Sequence, residues 1–140
     1  MRYLFDTNVI SELRRALRRA IPGPVAEWTS TIAIPDQYLS AVTIEELEIG
    51  VLLLERRDPF QGGNLRAWLH GLVLPSYAGR ILPVDEVVAQ RSALLHVPDP
   101  HPIRDGFIAA TALVHGMTVV TRNVEDFAGT GVKVFNPWES

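Results

Sequence analysis

The chain contains no cysteine. This absence excludes a disulfide framework, a cysteine-ligated zinc site and a cysteine nucleophile. It also agrees with a reducing compartment, in which proteins rarely carry disulfides. We therefore expect a cytoplasmic protein.

The sequence also lacks a long apolar run. The longest, Ile49 to Leu54, contains a glycine and is far shorter than the roughly 18 apolar residues that a membrane-spanning helix needs. Residues 1–10 do not have the layout of a signal peptide, because Asp6 interrupts the apolar stretch early. We expect no membrane association.

Positive charge is scarce too. Lys133 is the only lysine, and the net charge is −3. Nucleic-acid-binding proteins normally carry a basic excess, so this balance argues mildly against such a substrate. A divalent cation bound at clustered carboxylates would reverse the sign locally. The 140 residues, 47% of them hydrophobic, suit one globular domain spanning residues 1–140.

Short apolar runs alternate with segments of helical periodicity along the chain. This alternation predicts an α/β protein, a three-layer α/β/α sandwich with a mainly parallel central sheet. The first predicted strand ends at Phe5, and the others cover 38–42, 80–84, 117–121 and 132–135. The predicted helices cover 9–20, 25–33, 44–55, 64–74, a segment capped by Asp85, and 103–115.

Two local patterns make more detailed predictions. Thr43 and Glu46 match the capping box Thr-x-x-Glu, which predicts that Thr43 is the N-cap of its helix. Residues 58–63 contain Asp-Pro and Gly-Gly pairs, which predict a loop.

The stretch from Tyr3 to Ser11 is the first candidate for a site. Its apolar start is typical of a buried strand, and Asp6, Thr7 and Asn8 follow directly. Ligands of open α/β sheets bind at the carboxyl ends of the strands, so Asp6 is a candidate metal ligand. All three residues are also good helix caps, and taken alone capping is the stronger interpretation of Asp6.

Three later acids take similar positions. Glu46 follows the second strand, Asp105 lies in the first turn of a helix, and Asp126 follows the strand 117–121. Clustered carboxylates repel one another unless a hard cation such as Mg²⁺ or Mn²⁺ binds among them. Each acid alone has a structural explanation, such as a helix cap or a surface turn. The helical periodicity does not choose among Glu45, Glu46 and Glu48.

Five motifs in order resemble those of PIN-domain endoribonucleases, specifically the VapC-type toxins of type II toxin–antitoxin modules, including the FitB-like branch. The resemblance covers essentially the whole chain. The motifs are Leu4 to Ser11, Thr43 to Gly50, Arg104 to Ala112, Val120 to Phe127 and Val134 to Trp138.

The resemblance implies roles for particular residues. The family pattern places metal-binding acids on Asp6, Glu46 and Asp105. Its fourth position falls on Asp126 or on the neutral Asn123. The resemblance further implies supporting roles for Thr7, Asn8 and Thr121, and contact with RNA phosphates for Arg122, Arg104 or the arginines of 14–19.

The implied activity is hydrolysis of RNA phosphodiesters by water that Mg²⁺, or Mn²⁺ as a substitute, activates at the acidic cluster. The implied partner is a cognate antitoxin, with the toxin as a homodimer or in a heterotetramer or larger assembly. The four histidines are dispersed in the sequence, and we interpret them as structural or surface residues.

Other interpretations fit less well. A haloacid-dehalogenase-like phosphatase would need a second acid where Asn8 stands and a lysine near the site. A signalling receiver domain would need paired acids after the first strand, and these are absent. The third alternative is a PIN fold that has lost its activity and serves as a binding module. The presence of Asp6, Glu46 and Asp105 argues against this alternative but does not exclude it.

Overall fold

A computed structural model describes residues 1–139. Its strands are short, and they are β1 Tyr3–Phe5, β2 Gln37–Ser40, β3 Ile81–Leu82, β4 Thr118–Val120 and β5 Val134–Phe135. They form one sheet in the order β3-β2-β1-β4-β5. Every neighbouring pair is parallel, with Tyr3 opposite both Gln37 and Thr118. The carboxyl ends of β1 and β4 therefore lie side by side.

α-Helices connect β1 to β2, β2 to β3 and β3 to β4, as parallel strands commonly require, and a 3-10 helix lies between β4 and β5. The α-helices are α1 Thr7–Ala16, α2 Pro24–Ser30, α3 Ala41–Arg57, α4 Pro59–Trp68, α5 Leu74–Ser76, α6 Glu86–Leu95 and α7 Ile103–His115. A π-helical stretch, Leu69–Val73, joins α4 to α5. Short 3-10 helices cover Ile34–Asp36, Val124–Phe127 and Pro137–Glu139.

The sheet separates two apolar cores. Successive side chains of a strand point to opposite faces, and Leu4 and Phe5 of β1 are both fully buried. Phe5 belongs to the core formed with α1 to α4, whereas Leu4 belongs to the core formed with α7. The predicted three-layer α/β/α sandwich with a parallel sheet is confirmed. None of the helices within residues 1–139 is long and apolar enough to span a bilayer.

Three local predictions were wrong. The helix predicted for 9–20 ends at Ala16, and residues 59–63 belong to α4 rather than to a loop. The N-cap of α3 is Ser40, whose hydroxyl accepts a hydrogen bond from Val42 N–H, and not Thr43. The Thr43 hydroxyl is buried without a hydrogen-bond partner in the described part of the chain. Because Thr43 does not cap α3, Glu46 is free for another role.

Candidate active site

Asp6 lies where β1 ends and α1 begins. Its N–H donates to Val120 O of β4, which extends the sheet by one residue. One carboxylate oxygen accepts a 2.8 Å hydrogen bond from Thr7 N–H, so Asp6 is itself the N-cap of α1. The other accepts a 2.8 Å hydrogen bond from the Thr121 hydroxyl. The capping interpretation of Asp6 is therefore confirmed, and the same side chain lies at the carboxyl end of β1, where a metal ligand was predicted.

Thr121 is the centre of a small polar network. It is fully buried, and its hydroxyl accepts hydrogen bonds from the Asn8 amide at 3.2 Å and from Asn123 N–H at 3.0 Å. Asn8 in turn accepts a hydrogen bond from Arg122 N–H. The network ties the loop after β4 to the first turn of α1 and fixes the Asp6 carboxylate.

The structure distinguishes Glu46 from its neighbours on α3. Glu46 accepts a 2.7 Å hydrogen bond from the Thr7 hydroxyl, across 39 positions of sequence. Glu45 pairs with Arg104 at 2.8 Å, and Glu48 pairs with Arg66 at 2.9 Å. Of these acids, Glu46 alone contacts the Asp6–Thr7 turn, and the ambiguity in the sequence is thereby removed.

Asp105 is half-buried in the first turn of α7. Burial, together with the negative charges of Asp6, Asp126 and Glu46 and against an opposing effect of His101, raises the pKa of its carboxyl to about 6. Burial also raises the pKa of Asp6, although the hydrogen bonds from Thr121 and Thr7 oppose this rise. The negative charges of these acids therefore repel one another, and holding them close together costs free energy.

The fourth position is divided between two residues. Asp126 is exposed in the 3-10 helix Val124–Phe127, yet its charge acts on both Asp6 and Asp105. Asn123 lies closer to the centre, because it lines the same cleft as Asp6 and its N–H binds Thr121. Which of the two takes part in chemistry stays a prediction.

A cleft of about 360 Å³ brings the candidate residues together. Eight predicted residues line it, namely Asp6, Thr7, Asn8, Glu46, Asp105, Arg122, Asn123 and, from the arginine group, Arg15. Ser11 and Trp138 also line it, and neither was given a role from the sequence. Arg122 stacks over the Trp138 ring at 5.5 Å, so the carboxy-terminal motif shapes the cleft.

The remaining candidate phosphate contacts lie elsewhere. Arg19 binds Glu12 in α1, and Arg14 stacks on Trp68 at 5.6 Å. Arg104 is held by Glu45 and lines a neighbouring cleft. Arg15, which also pairs with Glu12 at 3.6 Å, and Arg122 are the arginines that line the cleft with Asp6. The cleft that Arg104 lines shares only Glu46 and Asp105 with it.

The donor set suits a hard cation, because its groups are carboxylate, hydroxyl and amide oxygens. Within residues 1–139 no three acidic or histidine side chains are arranged to hold a metal ion by themselves. Asp6 and Glu46 instead accept hydrogen bonds from Thr121 and Thr7. Mg²⁺ commonly binds one or two carboxylates, waters and a substrate phosphate, and this mode of binding fits the cleft.

The fold and the cleft define a class of protein. The PIN domain family model matches residues 3–132, and the chain belongs to this family. Haloacid-dehalogenase-like phosphatases and receiver domains are different families, so membership of the PIN family excludes both interpretations.

Particular relatives place the chain more narrowly. It is 42% identical to Toxin FitB of Neisseria gonorrhoeae, over 96% of this chain and 97% of the relative. It is 38% identical to a VapC ribonuclease of Sinorhizobium fredii, over 97% of each. The resemblance to the VapC and FitB branch is confirmed.

Solved structures of toxin–antitoxin proteins have the same fold as this chain. FitAcB from Neisseria gonorrhoeae superposes with a TM-score of 0.86 at 40% identity, over 99% of each chain. A toxin–antitoxin complex from Klebsiella pneumoniae superposes with a TM-score of 0.69 at 26% identity, over 96% of this chain and 97% of that one.

Proposed function

We propose that this protein is a metal-dependent endoribonuclease, the toxin of a type II toxin–antitoxin module, and that residues 1–140 act as one nuclease domain in the cytoplasm. The observation that carries the proposal is the convergence of Asp6, Glu46 and Asp105 on one cleft that also presents Arg15 and Arg122. Acids and arginines facing the same space suit a phosphodiester held beside a cation. The relatives named as a ribonuclease and as a toxin support the same activity.

Asp6, Glu46 and Asp105 would hold Mg²⁺, with Mn²⁺ as a substitute. When bound, such an ion activates water and stabilises the charge of the phosphoryl group. Burial and the negative charges of the neighbouring acids raise the pKa of Asp105, and a bound cation would relieve both effects.

The other residues of the cleft would position the acids and the RNA. Thr121 holds Asp6, and Thr7 holds Glu46, so both carboxylates have a defined direction before substrate binds. Asn8 and Asn123 fix Thr121. Arg15 and Arg122 would bind the phosphates on either side of the scissile bond, since guanidinium groups bind phosphate with two parallel hydrogen bonds.

An RNA cleavage assay tests the activity. The full chain and the variants Asp6→Asn, Glu46→Gln and Asp105→Asn are compared with Mg²⁺, with Mn²⁺ and with EDTA. We expect cleavage only with metal, and a loss of at least about 100-fold in each variant, as when a group stabilising transition-state charge is removed. Glu48→Gln is the matched control, because Glu48 lies on the same helix but pairs with Arg66 outside the cleft.

A wild-type chain that folds, binds divalent metal and cuts no RNA would favour the inactive binding module. Cleavage by Asp6→Asn at the wild-type rate would contradict the catalytic role of the acids.

We also propose a cognate antitoxin as the partner, with the toxin as a homodimer or in a heterotetramer or larger assembly. The support is the Klebsiella pneumoniae toxin–antitoxin complex that shares this fold. Expression of the chain alone should arrest growth, and co-expression of the antitoxin should restore it. Arrest that is equal for wild type and Asp6→Asn would contradict toxicity through RNA cleavage.

A further inference from the structure

The first turn of α7 carries Asp105 and, next to it, the buried Gly106. The imidazole of His96 fills the space where a side chain at Gly106 would lie. A Cβ at this position would be 2.8 Å from His96 Nε2 and 3.2 Å from Ser92 Oγ. The end of α6 therefore packs directly on the backbone of α7 beside Asp105, and only glycine permits this approach.

The other side of the imidazole binds the loop between the two helices. His96 Nδ1 accepts a 3.1 Å hydrogen bond from His101 N–H, and the two rings lie 6.4 Å apart. Gly106 N–H donates to Pro102 O, which is the first hydrogen bond of α7. His96 thus links the end of α6, the loop and the start of α7. Two of the four histidines, which appeared dispersed in the sequence, meet at this point.

We propose that His96 is a positioning residue for Asp105. Its imidazole, held between His101 N–H and the bare backbone of Gly106, sets where the first turn of α7 sits and so where the Asp105 carboxylate meets the cleft. This inference rests on the proposed function, since it takes Asp105 as a metal ligand.

The geometry separates this role from ordinary packing. Asp105 directly precedes Gly106, so a displacement of the helix at Gly106 moves the carboxylate with it. Cation affinity depends on ligand distances to within a few tenths of an ångström, and outer partners of a ligand typically contribute about 10–100-fold to metal affinity. A change at His96 should therefore affect metal binding more than it affects the fold.

Calorimetric titration of the full chain with Mn²⁺, in the absence of RNA, tests the proposal. We expect His96→Ala to weaken Mn²⁺ binding about tenfold. His96→Asn should retain most of the affinity, because its amide oxygen stands where Nδ1 accepts the hydrogen bond of His101. Retained affinity in His96→Ala would overturn the proposal.

A double-mutant cycle examines the contact itself. Gly106→Ala should weaken Mn²⁺ binding in the wild-type background, because the new methyl group meets His96 Nε2. In the His96→Ala background the same change should have a smaller effect, since the contact with the imidazole is then gone and only the Ser92 Oγ contact at 3.2 Å remains. If Gly106→Ala changes Mn²⁺ affinity equally in the two backgrounds, the contact between His96 and Gly106 does not influence the metal site.

Two references complete the test. Val88→Ala removes fully buried volume from the same face of α6, two turns away from His96, and should lower the melting temperature without changing Mn²⁺ affinity. If Asp105→Asn leaves Mn²⁺ binding unchanged, the proposed metal role of Asp105 fails and the inference about His96 falls with it. If Asp105→Asn weakens binding and His96→Ala does not, only the inference about His96 is wrong.

Discussion

The Thr121 hydroxyl, directly after β4, donates a 2.8 Å hydrogen bond to Asp6 Oδ2, directly after β1. The two residues are 115 positions apart, and the parallel pairing of β1 with β4 brings them together. Burial raises the pKa of Asp6, and this hydrogen bond is the strongest opposing influence. Thr121 thus opposes the effect of burial on Asp6 and fixes the direction of its carboxylate.

Removal of the hydroxyl should therefore affect stability as well as the site. Thr121→Val keeps the shape but leaves Asp6 Oδ2 and two donors without a partner, and we expect a loss of about 1–3 kcal/mol in the free energy of unfolding. Thr121→Ser retains the hydroxyl and is the control. Urea unfolding measures both, and an unchanged midpoint for Thr121→Val would contradict the structural role of the network.

In the metal-free protein, the contribution of Asp105 to stability should fall as the pH rises. The folded-state pKa of Asp105 is raised to about 6, above the ordinary 3.8, so the folded state holds this proton more tightly than the unfolded state does. This contribution falls as the pH rises from about 4 to about 6 and levels off above it. Because Asp105 is only half-buried, solvent screening reduces the effect to roughly 1 kcal/mol.

The variant Asp105→Asn lacks this titration. In EDTA it should melt about 3 °C above wild type at pH 7.5 and close to wild type at pH 4. Scanning calorimetry at several pH values measures the difference. A variant that melts below wild type at pH 7.5 would show that the charge of Asp105 stabilises the metal-free fold.

Metal addition should reverse the order of the melting temperatures of wild type and Asp105→Asn. An ion that binds only the folded state stabilises it by about 2.7 kcal/mol at roughly 100 times its dissociation constant. With Mg²⁺ or Mn²⁺ in excess at pH 7.5, wild type should therefore melt above Asp105→Asn, and EDTA should restore the original order. Equal shifts in the two proteins would place the ion elsewhere.

The crossing of α3 and α4 offers a matched pair of glycine variants. A Cβ at Gly62 would lie 2.5 Å from Glu55 Cα, whereas a Cβ at Gly63 would meet nothing within 4 Å. Gly62→Ala should destabilise the protein by about 2–3 kcal/mol through overpacking. Gly63→Ala should stabilise it by about 0.5–1 kcal/mol by lowering the entropy of the unfolded chain. Urea unfolding distinguishes them, and similar midpoints would contradict the close approach at Gly62.

The alternation of apolar runs with helical segments was enough to predict the parallel sheet, because parallel strands need helical connections. Local patterns were less reliable. The capping box at Thr43 was matched three residues too late, since β2 ends at Ser40 and the Ser40 hydroxyl caps α3 first. The Asp-Pro and Gly-Gly pairs of 58–63 indicated a loop, although Asp58 caps α4 and Gly62 permits the close contact of α4 with α3.

Some residues of the candidate site could likewise be predicted from the sequence, and others only the structure shows. Asp6 and Asp105 were predicted from their places after a strand and at a helix start. Ser11 and Trp138 were given no role, and Arg15 was not distinguished from the other arginines of 14–19, because only contacts between distant segments show which side chains line the cleft. The contact of His96 with the backbone of Gly106 could not be predicted from the sequence, because a glycine in a helix carries no sign of what packs on it.

The sequence by itself determined the fold class, the family resemblance and the acids at the strand ends, because apolar periodicity and the order of motifs are local properties. Helical periodicity did not choose among Glu45, Glu46 and Glu48, and the family pattern pointed to Glu46 by resemblance alone. Only the tertiary structure shows the contacts that place Glu46 in the cleft with Asp6. Arg104 and Arg66, brought in by α7 and α4, pair with Glu45 and Glu48, and the Thr7 hydroxyl binds Glu46.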